Sequence, residues 1–166
     1  MVSAHIRSHS HMQKQTRYSS AKRTAAATEQ SEDAIRLAKS QFKRMFPDMV
    51  KELEQAPASA HYVCRERWRL QGPLTVDKFA DAAPWAFENI DWSRVDFRTW
   101  NNRYGNLCIG TVLKDNKQQH GIVRTIKPGY GMVEAQWYKG EYHGYMRWIR
   151  KDGLSGSALY KRGRKL

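Results

Sequence analysis

The chain has 166 residues, 40% of them hydrophobic, and carries 29 Lys and Arg against 16 Asp and Glu, a formal net charge of +13. That size and composition suit one modest domain with extensions, and the lack of any apolar run of roughly 18 residues excludes a transmembrane helix. The charge excess is more than solubility asks for and points to acidic partners: acidic protein, anionic lipid or RNA.

Residues 1–28 hold Arg7, Lys14, Arg17, Lys22 and Arg23 and no acid. No apolar h-region follows, so secretion is not expected. An acid-free, Ser- and Arg-bearing start has the composition of a mitochondrial transit peptide, and the alternative is a basic arm, flexible or ordered on a partner. Over 29–56 a helical segment is predicted. Ser31 is placed as its cap, and Ile35, Ala38, Phe42, Met45 and Phe46 recur at helical spacing. Pro47-Asp48 restarts a shorter helix with Met49, Val50 and Leu53 inward, and Pro57 closes it.

Residues 57–106 read as an aromatic-rich connector or cap. The stretch 61–70 suits strand or helix, Thr75 is a plausible N-cap for a helix that Pro84 ends, and 90–100 shows no single period. Cys64 and Cys108 fit no ligand spacing. His61 and Cys64 form an H-x-x-C pair without a second pair, so structural thiols are expected rather than zinc.

From Leu107 to Leu166 the sequence matches itself at an offset of 23 residues. His120-Gly121 aligns with His143-Gly144, Arg124 with Arg147, Ile126 with Ile149, Ala135 with Ala158 and Gly140 with Gly163, while Trp137 meets Tyr160. Val133, Ala135 and Trp137 alternate with Glu134 and Gln136, the period of a half-buried strand. Pro128-Gly129 fits a type II turn and Asp152-Gly153 a tight hairpin. Gly121 and Gly144 are expected either where the chain turns or where a side chain would block stacking. A single hairpin cannot bury its apolar face, so neighbours must stack. The fold class that follows is α+β, an N-terminal helical extension followed by a short antiparallel β-hairpin repeat array over 107–166.

The run Val133-Glu134-Ala135-Gln136-Trp137-Tyr138-Lys139-Gly140-Glu141-Tyr142-His143-Gly144-Tyr145-Met146 resembles the MORN repeat, Y-x-G-x-W-x-x-G-x-x-H-G-x-G. Trp137, Gly140, His143 and Gly144 match, and Val133, Ala135 and Met146 depart from the pattern. A degenerate unit precedes it at 110–121 and a truncated one follows with Gly156, Tyr160 and Gly163. The resemblance implies an elongated twisted sheet of hairpins with an aromatic-lined groove, acting as an assembly and docking module. So short an array needs a cap, expected from the Trp92–Trp100 region or from a partner.

No nucleotide-binding, hydrolase or metalloprotease motif occurs, so a non-catalytic role without cofactor or metal is expected. Trp137, Tyr138, Tyr142, His143, Trp148 and Tyr160 are the candidate partner-binding residues of the array, with Trp137 as its anchor. Gly121, Gly140, Gly144 and Gly153 are its turn and packing residues. Arg147, Arg150, Lys161, Arg162, Arg164 and Lys165 are candidates for a charged partner. The expectation is a scaffold subunit docking protein partners in a large assembly, such as an accessory subunit of a mitochondrial respiratory complex. The alternatives are an adaptor on an anionic membrane surface and a nucleic-acid contact such as a ribosome-associated protein. A mitochondrial location follows from the N-terminal composition, with a ciliary, cytoskeletal or cytoplasmic one as the rival.

Overall fold

The computed structural model describes residues 31–166. The arm predicted over 1–28 and the first residues of the predicted helix lie outside the described residues. Among the described residues four α-helices precede a seven-stranded antiparallel sheet, so the α+β class holds.

Helix α1 covers 31–45, and α2 spans Pro47–Glu54 after the one-residue break at Phe46. Phe42, Phe46, Met49 and Leu53 are buried as their spacing predicts. Two details differ. Ser31 is already helical and its hydroxyl donates to Glu88 Oε1 at 3.0 Å, so it is not the cap. Met45 is 40% exposed because the stripe rotates past it before the break. The stretch left open between strand and helix is α3, Tyr62–Gln71, and Thr75 caps α4, Val76–Ala82, by accepting from Lys78 N–H at 3.3 Å. Pro84 opens a 3₁₀ turn, Pro84–Phe87, and a second one spans Trp92–Arg94.

The sheet runs β1 Val95–Asn101, β2 Leu107–Leu113, β3 Gln119–Lys127, β4 Gly131–Tyr138, β5 Glu141–Arg150, β6 Ser155–Lys161 and β7 Arg164–Lys165. Every strand pairs only with its sequence neighbours. The sheet therefore starts at Val95, inside the segment read as a connector, and the boundary placed at 107 separates two paired strands. The Trp92–Trp100 region lies against the sheet and the helices. β1 covers β2, and Trp92 is buried against Phe42, with ring centroids 5.1 Å apart, and against Phe46 and Phe87.

The helices cover one face of the sheet. Phe42, Phe79, Phe87, Trp92 and Ile122 form the larger core, and Cys64, Trp68, Ile126, Met132 and Ile149 a smaller one. Burial of Cys64 and Cys108 raises both thiols, consistent with packing roles. Pro128-Gly129 makes the expected turn, with Tyr130 N–H donating to Lys127 C=O at 3.0 Å and Gly129 at φ 76°. The β5–β6 loop is not a two-residue Asp-Gly turn. Gly153 N–H returns to Arg150 C=O and Arg150 N–H to Leu154 C=O, giving a three-residue loop whose Asp152 side chain accepts from Leu154 N–H.

Candidate functional site

The two faces of the sheet carry different chemistry. On the helix-covered face, cross-strand neighbours Arg124, Glu134 and Arg147 form a buried charged row. Arg124 Nη2 donates to Glu134 Oε2 at 3.1 Å and Arg147 Nη2 to Glu134 Oε1 at 2.6 Å. Arg124 Nη1 reaches Glu52 of α2 at 2.8 Å, and Arg147 Nη1 donates to the Gly72 carbonyl that ends α3 at 2.8 Å. The row ties the sheet to two helices through directional bonds, while the Arg124 guanidinium lies 5.7 Å from the Trp68 ring centroid. Two expectations are corrected here. Arg147 is only 9% exposed and internally engaged, so it is not available to a charged partner. In β4 the polar face of Glu134 and Gln136 is not solvated, because it is the face the helices cover.

No described helix covers the other face. There Trp100, Cys108, Thr125, Val133, Trp148 and Gly156 form one cross-strand row, and Arg98, Gly110, Val123, Ala135, Met146 and Ala158 another. A groove of about 940 Å³ opens on this face, floored by Val133, Met146 and Trp148, with Tyr142 at one end and the exposed Tyr104 and Tyr130 on its rim. Among the described residues its only charged lining is the cations Lys127 and Arg150. Beyond Tyr142 the aromatic surface continues. The Trp137 and Tyr142 centroids are 4.2 Å apart, and those of Tyr142 and Tyr160 are 5.2 Å apart. Trp137 is half-buried rather than enclosed, and its indole N–H has no partner among the described residues. It anchors a surface strip, not a core.

The residues aligned at the 23-residue offset share local geometry. Gly121 stands opposite Trp137 and Gly144 opposite Tyr160. Lys139 N–H donates to His120 Nδ1 at 3.0 Å, and Arg162 N–H to His143 Nδ1 at 3.0 Å. Lys139-Gly140 and Arg162-Gly163 are two-residue turns with both residues at positive φ. Each His-Gly faces a bulge whose side chain accepts the following N–H. Thr111 Oγ1 takes Ile122 N–H at 3.0 Å, and Gln136 Oε1 takes Tyr145 N–H at 2.6 Å. Because Nδ1 accepts, each imidazole carries its proton on Nε2. Burial, reinforced by Lys139, pushes His120 down to about 4, and burial with Arg162 and Lys161 pushes His143 down as well. Tyr138 sits between the histidines, 5.0 and 5.4 Å from their rings, with Lys139 Nζ and the Arg162 guanidinium near its own ring.

Gly121 and Gly144 lie inside strands, not at turns, and satisfy the other expectation. A Cβ on Gly121 would overlap Thr111 Oγ1, and one on Gly144 would overlap Gln136 Oε1 and stand 2.7 Å from Ala86 Cβ, both on backbone of positive φ. Gly121→Ala and Gly144→Ala are each expected to lower stability by about 1–3 kcal/mol. Urea denaturation checks this, and costs differing widely between the two would break their equivalence.

The remaining predicted residues spread along the sheet. Arg150 is exposed at the groove and pairs with Asp152 at 2.7 Å. Lys161, Arg162, Arg164 and Lys165 are exposed, but they belong to the β6–β7 hairpin rather than to a loose tail. Sequence reasoning missed Val133, Met146, Tyr104 and Tyr130 as groove residues, although the clustering of Tyr104 and Tyr130 at hairpin loops was a readable signal. It also missed Glu134 as the hub of the buried row. Among the described residues no cluster of His, Cys, Asp and Glu suits a metal ion, and no helix is long and apolar enough to cross a membrane. Comparison with protein families, with curated proteins and with solved structures finds no match to this chain.

Proposed function

We propose that this chain is a non-catalytic docking subunit of a larger protein assembly, and that its last strands form a short MORN-like hairpin array. The observation that carries the reading is the groove on the uncovered sheet face, with an apolar and aromatic floor and only cations among its charged lining. Concave apolar surface with aromatic anchors is what partner recognition uses, and the matching His-Gly geometry of successive hairpins supports the array. The occupant that fits is a protein segment with a bulky apolar anchor flanked by acidic residues. The acid-free start of the chain makes mitochondria the proposed setting, whichever assembly is served, and imaging of the tagged full chain tests it.

The test is purification of the tagged chain from its native source in high salt, followed by identification of stoichiometric subunits. Trp148→Ala is expected to abolish their co-purification while the variant stays folded, since the indole is only partly buried and lies on the uncovered face. Retention of the same subunits at equal yield would refute the groove as the docking surface. One observation favours a second reading, an anionic membrane or RNA. Lys114, Lys117, Lys139 and Arg162 all lie at alternate hairpin tips, hence along one end of the sheet. Salt-sensitive binding to anionic but not neutral vesicles, or nuclease-sensitive co-purification, would support that reading instead.

A further inference from the structure

The two ends of the sheet are finished differently. β7 is two residues long and carries only Arg164 and Lys165, so a second copy approaching it meets like charge. β1 is seven residues long, and among the described residues nothing pairs with its outer edge. Its alternate N–H and C=O groups are therefore directed away from β2. The strand reads Val95-Asp96-Phe97-Arg98-Thr99-Trp100-Asn101. Asp96, Arg98 and Trp100 lie on the uncovered face, in register with Val112, Gly110 and Cys108. Val95 and Phe97 lie on the helix side, packed on the larger core. Neither Asp96 nor Arg98 forms an ion pair within the described residues.

We infer that β1 is a homodimerisation edge, pairing antiparallel with β1 of a second copy about a twofold axis through Phe97. Charge complementarity selects both the occupant and the register. A twofold normal to the sheet keeps both helical layers on one side, so residues directly opposite each other must share a face. Centring on Asp96 or on Arg98 opposes like charges. Centring on Phe97 places Asp96 opposite the second copy's Arg98, and symmetry makes that ion pair twice. The same register sets Val95 against Thr99 and Phe97 against its own counterpart, closing the open margin of the core. Because β7 repels, association stops at two copies and does not run on into a filament.

Sedimentation velocity of the full chain over a dilution series tests it. A monomer–dimer equilibrium is expected with a Kd on the order of 10 μM, the weak end appropriate to an edge contact of this size. Asp96→Arg and Arg98→Asp are each expected to weaken self-association at least about tenfold, since like charges then face each other at both symmetric positions. An equimolar mixture of the two variants is expected to form a heterodimer. The double variant D96R/R98D is expected to dimerise like the natural chain, which separates loss of pairing from loss of folding. A chain that stays monomeric at all concentrations, a dimer indifferent to either single substitution, or a mixture that does not associate would each overturn the assignment.

Discussion

Glu134→Ala is expected to destabilise the protein by about 3–5 kcal/mol, because it strands two buried guanidinium groups at once. Glu134 is fully buried and is the shared acceptor of Arg124 and Arg147. After its removal Arg124 keeps only Glu52, whose side chain is 25% exposed, and Arg147 keeps only a carbonyl. Among the described residues the Arg147 Nε is already without a partner, and none of them offers a spare acceptor to take up the lost bond. Desolvation of charge, not loss of contact area, sets the size of the effect. Joint replacement of Arg124, Glu134 and Arg147 by apolar residues of similar volume should therefore recover most of the loss. Guanidinium denaturation of the three proteins checks both statements. A loss below about 1 kcal/mol for Glu134→Ala would show that the row is not held as an ionic unit.

Acid sensitivity is the second large effect. His120 is buried and neutral, and its Nδ1 holds the Lys139 N–H of the next turn. Its folded-state value of about 4 lies below the ordinary 6.5, so between those limits the unfolded chain binds more protons than the folded one. Stability is then complete above pH 6.5 and falls as pH drops toward 4, by about 3 kcal/mol for a depression of this size. His143 is lowered too and acts in the same direction. Asp77, held low by Lys43 and Lys39, loses its contribution only as pH falls below the usual carboxylate range. The separation lets the histidine contribution be isolated. His120→Asn retains a side-chain acceptor but cannot titrate, so subtracting its pH–stability curve from that of the natural chain should leave a slope confined to pH 4–6.5. Parallel curves would remove His120 as the source.

Local chemistry made much of the strand half readable. The Lys139-Gly140 and Pro128-Gly129 turns follow from backbone preferences that act over two residues, and the His-Gly offset reports a geometry made of short-range bonds. The helical stripe of Phe42, Phe46, Met49 and Leu53 was readable for the same reason. β1 was not, because Asp96, Arg98 and Asn101 dilute its alternation and its partner strand lies beyond a loop. For the candidate surface, Trp148, Tyr142, Trp137 and Tyr160 were identified from residue type and spacing, whereas the groove that unites the first two with Val133 and Met146 was not.

By itself the sequence determined secondary elements that depend on neighbours in the chain: the helical stripe from Phe42 to Leu53, the Thr75-capped helix, the Pro128-Gly129 turn and the strand period of β4. Only the tertiary structure decided which sheet face the helices cover. Strand alternation separates two faces but does not say which meets a neighbour. Here the face bearing Arg124, Glu134 and Arg147 is buried because its charges satisfy one another and two helices, leaving the apolar face of Trp148 and Met146 open.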